Sequence, residues 1–160
     1  MKVVAVFLVI LLIAALAGVG FLYFNSNLEV TFASVAATDP VTQLDAFNRL
    51  KSSLEDETFI GTLYDTAPLS SPENYQFYTW TLHLENKSFL KADVIEVQIT
   101  PMAGDVLRYG DSGENTLNAR STGNISVTML TSRSMHSVRE AIVTWYVWGL
   151  PFSTRLTIGK

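Results

Sequence analysis

Residues 3–24, VVAVFLVILLIAALAGVGFLYF, form an unbroken apolar run without a charged side chain. As an α-helix rising about 1.5 Å per residue, this run is about 33 Å long, close to the thickness of the hydrocarbon core of a bilayer. The sequence after Asn25 mixes polar and apolar residues, as a water-exposed domain does. The sequence therefore predicts two parts, a transmembrane signal anchor at residues 1–24 and one domain at residues 25–160.

The same start is also typical of a cleavable secretory signal peptide, because a positive charge at Lys2 precedes the apolar run. Ala15-Leu16-Ala17 supplies the small-x-small pattern of a cleavage site. Against cleavage, the sequence stays apolar from Gly18 to Phe24, whereas a signal peptide becomes polar near its end. We therefore expect a retained, single-pass anchor.

The few charges beside the apolar run predict its orientation. Lys2 is the only Lys or Arg before Arg49, so the positive-inside bias places the N-terminus in the cytoplasm. The domain then lies on the extracytoplasmic side of a cell membrane. Within the run, Ala14 and Gly18 have the small-xxx-small spacing that lets two membrane helices approach closely. We expect membrane lipid to surround the helix and take Ala14 and Gly18 as candidate helix-packing residues.

Composition excludes several classes of function. The chain has 15 acidic and 11 basic residues, a net charge of −4, which argues against nucleic acid as a partner. It has no cysteine, which excludes a disulfide scaffold, a thiolate nucleophile and a cysteine-ligated metal. An exported domain without disulfides is more typical of a bacterial surface than of an animal extracellular space.

Most of the domain alternates apolar and polar residues with a period of two, the pattern of half-buried strands. Asp39 as N-cap, Pro40 and an apolar stripe to Leu54 predict one short inserted helix that ends at the acidic run 55–57. Residues 103–118 are predicted to be rich in loops. About seven strands with one helix favour a mainly β chain, a β-sandwich rather than a barrel. The predicted strands are residues 28–35, 58–64, 75–86, 92–99, 124–130, 138–148 and 152–158, with 75–86 and 92–99 forming a long hairpin.

Three segments carry a resemblance to a known class of domain. They are TLHLENKSFLKADVIEVQITP at 81–101, LNARSTGNISVTML at 117–130 and WYVWGLPFSTRLTI at 145–158. The first two, strand-turn-strand units, resemble immunoglobulin-like or fibronectin-III-like sandwiches of the adhesion-related type on bacterial surfaces. The third resembles the end of small membrane-anchored proteins of Gram-positive bacteria. The resemblance implies an immunoglobulin-like fold that binds through surfaces, and it transfers no functional residue.

Several motifs look catalytic or metal-binding but lack the partners that their chemistry needs. GDSG at 110–113 has no surrounding triad, and the S-x-x-K at 88–91 falls on a predicted turn without its companion motifs. His83 and His136 have no flanking ligand pattern for zinc, and Asp105, Asp111 and Glu114 match no calcium loop. We therefore expect no catalytic residue, no cofactor and no metal.

Tyr146, Trp148 and Phe152 gather around the Gly149-Leu-Pro turn and form a candidate interaction patch. The alternative is that they pack at the edge of the sandwich.

The leading interpretation is a non-enzymatic, membrane-anchored surface module that binds a protein or a glycan. One alternative is a small enzyme or solute-binding domain with its site in the 101–123 loops. Another is a subunit of a larger membrane complex, held through Ala14 and Gly18.

Overall fold

The computed structural model describes residues 2–113 and 116–159. It confirms a mainly β chain with one apolar N-terminal helix and one short helix. The elements are α1 (Lys2–Asn25), β1 (Leu28–Thr38), α2 (Leu44–Glu55), β2 (Thr62–Leu63), β3 (Tyr75–Asn86), β4 (Asp93–Ile99), β5 (Asp105–Gly113), β6 (Thr122–Ser132), β7 (Arg139–Val147) and β8 (Leu150–Ile158).

The strands form two antiparallel sheets packed as a β-sandwich. The larger sheet has the order β1-β3-β6-β5-β2 and the smaller has the order β4-β7-β8. Alternate side chains of each strand face the other sheet, so the apolar half of each period-two pattern fills one core. The most deeply buried members of this core are Trp80, Leu82, Leu84, Val97, Val127, Met129, Ala141, Val143 and Val147.

The predicted hairpin of 75–86 with 92–99 is wrong, because β3 and β4 belong to different sheets. Asn86 Oδ1 accepts a hydrogen bond from the Ser88 N–H at 3.0 Å, and Ser88 Oγ accepts one from the Leu90 N–H at 2.9 Å. These two side-chain turns lead the chain across the sandwich. A period-two pattern is satisfied equally by two paired strands and by two strands that face each other from opposite sheets.

The short helix lies where the sequence predicts it. The Val41 N–H donates to Asp39 Oδ1 at 3.0 Å and caps a 3₁₀ turn, Pro40–Gln43, which leads into α2. This helix covers part of the outer face of the larger sheet, where a second cluster contains Phe47, Leu50, Leu69, Phe77, Val106, Leu107 and Leu130. Where α2 packs on it, the larger sheet is therefore buried on both faces.

Two predicted boundaries are wrong. Of residues 58–64 only β2, Thr62–Leu63, is a strand, and most of the predicted loop region 103–118 is the nine-residue strand β5. The register of β5 against β6 shifts between Asp105 and Leu107 and again between Tyr109 and Ser112. Such irregularities interrupt the alternation of apolar and polar residues, so the sequence of β5 does not look like a strand.

Candidate functional site

The last turn of α1 is docked onto one end of the sandwich. Leu22 is buried in the main core, and Trp145 Nε1 donates to Ser26 Oγ at 2.9 Å. The rings of Tyr23 and Phe152 lie 6.5 Å apart. Only Ser26 and Asn27 separate α1 from β1. The helix and the sandwich are thus joined by packing and by a hydrogen bond as well as by the chain. We call this contact the junction.

Before its last turn, α1 is almost wholly exposed. The helix Val3–Asn25 is long and apolar enough to cross a membrane. The large apolar side chains before the last turn are exposed, up to 83% for Val3. Ala14 and Gly18, the candidate helix-packing residues, lie on this open surface, and no described atom beyond the chain neighbours and the helix backbone lies within 4 Å of a Cβ placed on Gly18.

The structure does not bring the predicted aromatic patch together as one surface. Trp148 is 75% exposed in the turn between β7 and β8, and Tyr146 is exposed on the outer face of the smaller sheet. Phe152 is half-buried and points to the inner face, where its ring stacks on Trp145 at a centroid distance of 6.1 Å. Phe152 belongs to the junction, and Trp148 is the exposed member.

The outer face of the larger sheet carries paired polar side chains between β3 and β6. His83 Nδ1 lies 2.7 Å from Asn124 Oδ1, the hydroxyls of Thr81 and Ser126 are 3.0 Å apart, and those of Thr79 and Thr128 are 2.9 Å apart. We call these six residues the polar ladder.

The polar ladder continues sideways onto β1. Phe32, Ser34 and Ala36 pair in register with His83, Thr81 and Thr79, and all three β1 residues are exposed. Phe32 is 64% exposed. These nine side chains include no Asp, Glu, Lys or Arg, so the surface is uncharged, with an aromatic ring at its edge. The period-two alternation of residues 75–86 predicts that one face of β3 is the more polar, but only the register shows its partners on β6.

A concave feature lies beside the region proposed for an enzymatic or solute-binding site. Tyr64, Asp65, Met102, Asp105 and Ser132 are among the residues that line a polar cleft of about 350 Å³. Burial raises the pKa of the Tyr64 phenol. The Asp105 carboxylate is already engaged, since it accepts hydrogen bonds from Arg139 Nη2 at 2.9 Å and from the Met102 N–H at 2.7 Å.

The motifs that look catalytic or metal-binding in the sequence occupy structural positions. Ser88 is buried and closes a turn, and the backbone of residues 110–113 lies in β5. The side chains of Asp111 and Glu114 lie outside the described residues. Among the side chains that the structure describes, no three Asp, Glu, His or Cys residues are grouped as metal ligands.

Comparison with known proteins adds two distant structural likenesses. No family model matches the chain, and no curated protein matches its sequence. The GAE domain of yeast GGA1 is similar with a TM-score of 0.40 and 12% identity, over 57% of this chain and 96% of that domain. A FixG-related protein from Vibrio parahaemolyticus is similar with a TM-score of 0.29 and 10% identity, over 82% of this chain and 97% of that one. The assignment of a β-sandwich rests on the two sheets described above.

Proposed function

We propose that this chain is a non-enzymatic surface module, held in a cell membrane by α1, whose sandwich binds a protein or a glycan on the extracytoplasmic side. A bacterial surface, as the sequence resemblance implies, is the proposed setting. The proposal has two parts, retention of α1 in the bilayer and recognition by the sandwich, and each part has its own support and its own test.

Retention of α1 is supported by what cleavage would leave behind. A cut after Ala17 would leave Phe21, Tyr23 and Phe24 on the mature chain, and these three side chains are 55%, 70% and 85% exposed. Large apolar side chains favour lipid over water by about 1.5–3 kcal/mol each. Intact-mass measurement of the protein extracted from membranes tests this part. A mass that lacks residues 1–17 would refute retention.

Recognition by the sandwich is supported by one observation, the uncharged surface formed by the polar ladder and Phe32. Hydroxyl, amide and imidazole groups offer donors and acceptors to a partner without the desolvation cost of a charge. An exposed aromatic ring at the edge supplies apolar contact area. Both a sugar face and a polar protein surface fit these features.

The test compares Phe32→Ser with a matched control in the full chain, purified in mild detergent. Ile60 is 90% exposed and lies outside the polar ladder, so Ile60→Ser removes a similar apolar area elsewhere. We expect a protein or glycan ligand to bind the wild type and the control, and to bind Phe32→Ser about tenfold more weakly, because loss of an aromatic contact that becomes buried on binding costs more than 1 kcal/mol. Equal binding by all three proteins would overturn the assignment of this surface.

Two other functions have their own discriminating tests. Solute binding in the cleft beside Tyr64 predicts a perturbed tyrosine absorbance on addition of ligand, which Tyr64→Phe removes.

A role as a complex subunit predicts a co-purifying protein that is lost when Ala14 and Gly18 are both replaced by Leu, since larger side chains prevent close approach of two helices. Unchanged assembly in that double variant would refute the subunit role.

A further inference from the structure

We propose that the turn between β7 and β8 inserts Trp148 into the headgroup layer of the same bilayer that α1 spans, so that the sandwich is held to the membrane at a second point. This inference rests on the proposed membrane anchoring by α1. The occupant of the surface is the lipid interface itself. Four observations support it: the position of the turn, the strain of its backbone, the exposure of its side chain and the neighbours at the same end of the sandwich.

The turn lies at the end of the sandwich where α1 arrives. Trp145, three residues before Trp148, donates its hydrogen bond to Ser26, and Phe152, three residues after Gly149, contacts Tyr23. A strand advances about 3.3 Å per residue, so the tip is about 10 Å beyond the contact with Ser26. The C-terminal end of a spanning helix lies at the membrane interface, which places the tip within reach of the headgroups.

The backbone of the turn is strained at Trp148. Trp148 and Gly149 have φ angles of 51° and 80°, the pattern of a tight two-residue hairpin turn that favours Asn-Gly. Gly149 adopts this conformation without cost, but a residue with a large side chain is disfavoured there. Trp148 nevertheless occupies the first turn position.

Burial of the Trp148 side chain does not compensate for this strain. Trp148 is 75% exposed, whereas Trp80 and Trp145 are 0% and 5% exposed. A strained and exposed tryptophan points to a function outside the fold. Tryptophan is the residue most typical of membrane interfaces, because its ring is apolar and its N–H remains able to bond with water or headgroups.

A second exposed aromatic lies at the same end. Phe89, 63% exposed, is in the turn that follows β3, and the N–H of Lys87, two residues earlier, donates to the Asn27 carbonyl beside the end of α1. The Arg120 guanidinium lies 4.3 Å from the centre of the Phe89 ring. An aromatic ring with a cation beside it suits the boundary between acyl chains and phosphates. The end of the sandwich near α1 thus presents two aromatic contacts toward the bilayer.

Tryptophan fluorescence in lipid vesicles tests the inference on the full chain. The probe is phosphatidylcholine brominated near the top of its acyl chains, which quenches tryptophans at the interface, and iodide is the aqueous quencher. We expect brominated lipid to quench the wild type more than Trp148→Phe, and iodide to quench both to the same extent. The difference between the two proteins isolates Trp148 from Trp80 and Trp145.

A matched control places an equally accessible tryptophan away from the membrane. Phe32 is 64% exposed and lies four residues beyond the start of β1, so the Phe32→Trp change in the Trp148→Phe background provides a reporter in water. Iodide should quench this reporter, and brominated lipid should not. If Trp148 behaves like this reporter in vesicles, the inference is overturned.

Flotation of the vesicles separates the two proposals. Protein that floats with the vesicles while Trp148 stays accessible to iodide supports the anchor and overturns insertion of the turn. Protein that does not float contradicts the proposed anchoring and the inference that rests on it. Circular dichroism of Trp148→Phe and of the Phe32→Trp reporter confirms that each variant is folded before quenching is compared.

Discussion

The buried ion pair between Asp105 and Arg139 gives a sharp test of what holds the two sheets together. Asp105 begins β5 of the larger sheet and Arg139 begins β7 of the smaller one. Arg139 Nη2 lies 2.9 Å from Asp105 Oδ1, and both side chains have 0% exposure. Arg139 Nη1 also donates to the Val138 carbonyl at 3.0 Å, whereas its Nε has no hydrogen-bond partner among the described residues. The guanidinium therefore depends on Asp105 for charge compensation.

Asp105→Asn removes that charge while preserving the shape of the side chain. Arginine cannot deprotonate in the protein, so the variant leaves a buried cation without its anion. Breaking a buried pair in this way costs about 3–5 kcal/mol, which is a large fraction of the roughly 5–15 kcal/mol that stabilises a typical domain. Replacing both residues, as Asp105→Leu with Arg139→Met, removes both charges together and should be within about 2 kcal/mol of the wild type.

Urea unfolding of the full chain in detergent, followed by circular dichroism, measures these differences. The control is Glu140→Gln, because Glu140 pairs with Arg155 at 3.2 Å on the surface, where the side chains are 43% and 68% exposed. That change should cost less than about 1 kcal/mol. A cost for Asp105→Asn as small as that of the control would refute the reasoning. A double variant less stable than Asp105→Asn would refute it as well.

Three further predictions concern local backbone structure. Trp148→Asn should raise the free energy of unfolding by about 0.5–1 kcal/mol, because Asn-Gly suits the strained turn; thermal unfolding in detergent measures it. Asn86→Ala should lower the free energy of unfolding by about 2–4 kcal/mol, because the buried Asn86 amide donates hydrogen bonds of 2.8 and 3.2 Å to the Leu90 and Leu117 carbonyls, which would lose their donor. Urea unfolding measures this free energy, and an unchanged value would contradict the role of Asn86. The hydrogen bond from the Val41 N–H lowers the pKa of the Asp39 carboxyl, so the ionised carboxyl stabilises the fold above its ordinary pKa of 3.8, and this stabilisation is lost as the pH falls through the lowered pKa. Asp39→Asn should flatten this acid dependence in a pH series of unfolding curves, and an unchanged slope would contradict the assignment.

Local signals in the sequence determined the elements whose stability is local. The apolar run at residues 3–24 predicted α1 to within one or two residues at each end, because a spanning helix needs only length and the absence of charge. Asp39 and Pro40 predicted the start of the short helix, since capping involves atoms within three residues of one another. Period-two alternation predicted β3 with its bounds unchanged and the mainly β class.

Only the tertiary structure decided which strands pair and what the surfaces contain. The turn at Asn86 leads the chain from β3 into β4 of the opposite sheet. The period-two alternation of these two strands is equally compatible with pairing in one sheet. The polar ladder depends on the register of β3 with β6, and their paired residues are 41 to 49 positions apart in the chain. Burial of Leu22 and the bond from Trp145 to Ser26 likewise join segments distant in sequence. The energies that select these pairings come from burial and hydrogen bonding between distant residues, so no short stretch of sequence specifies them.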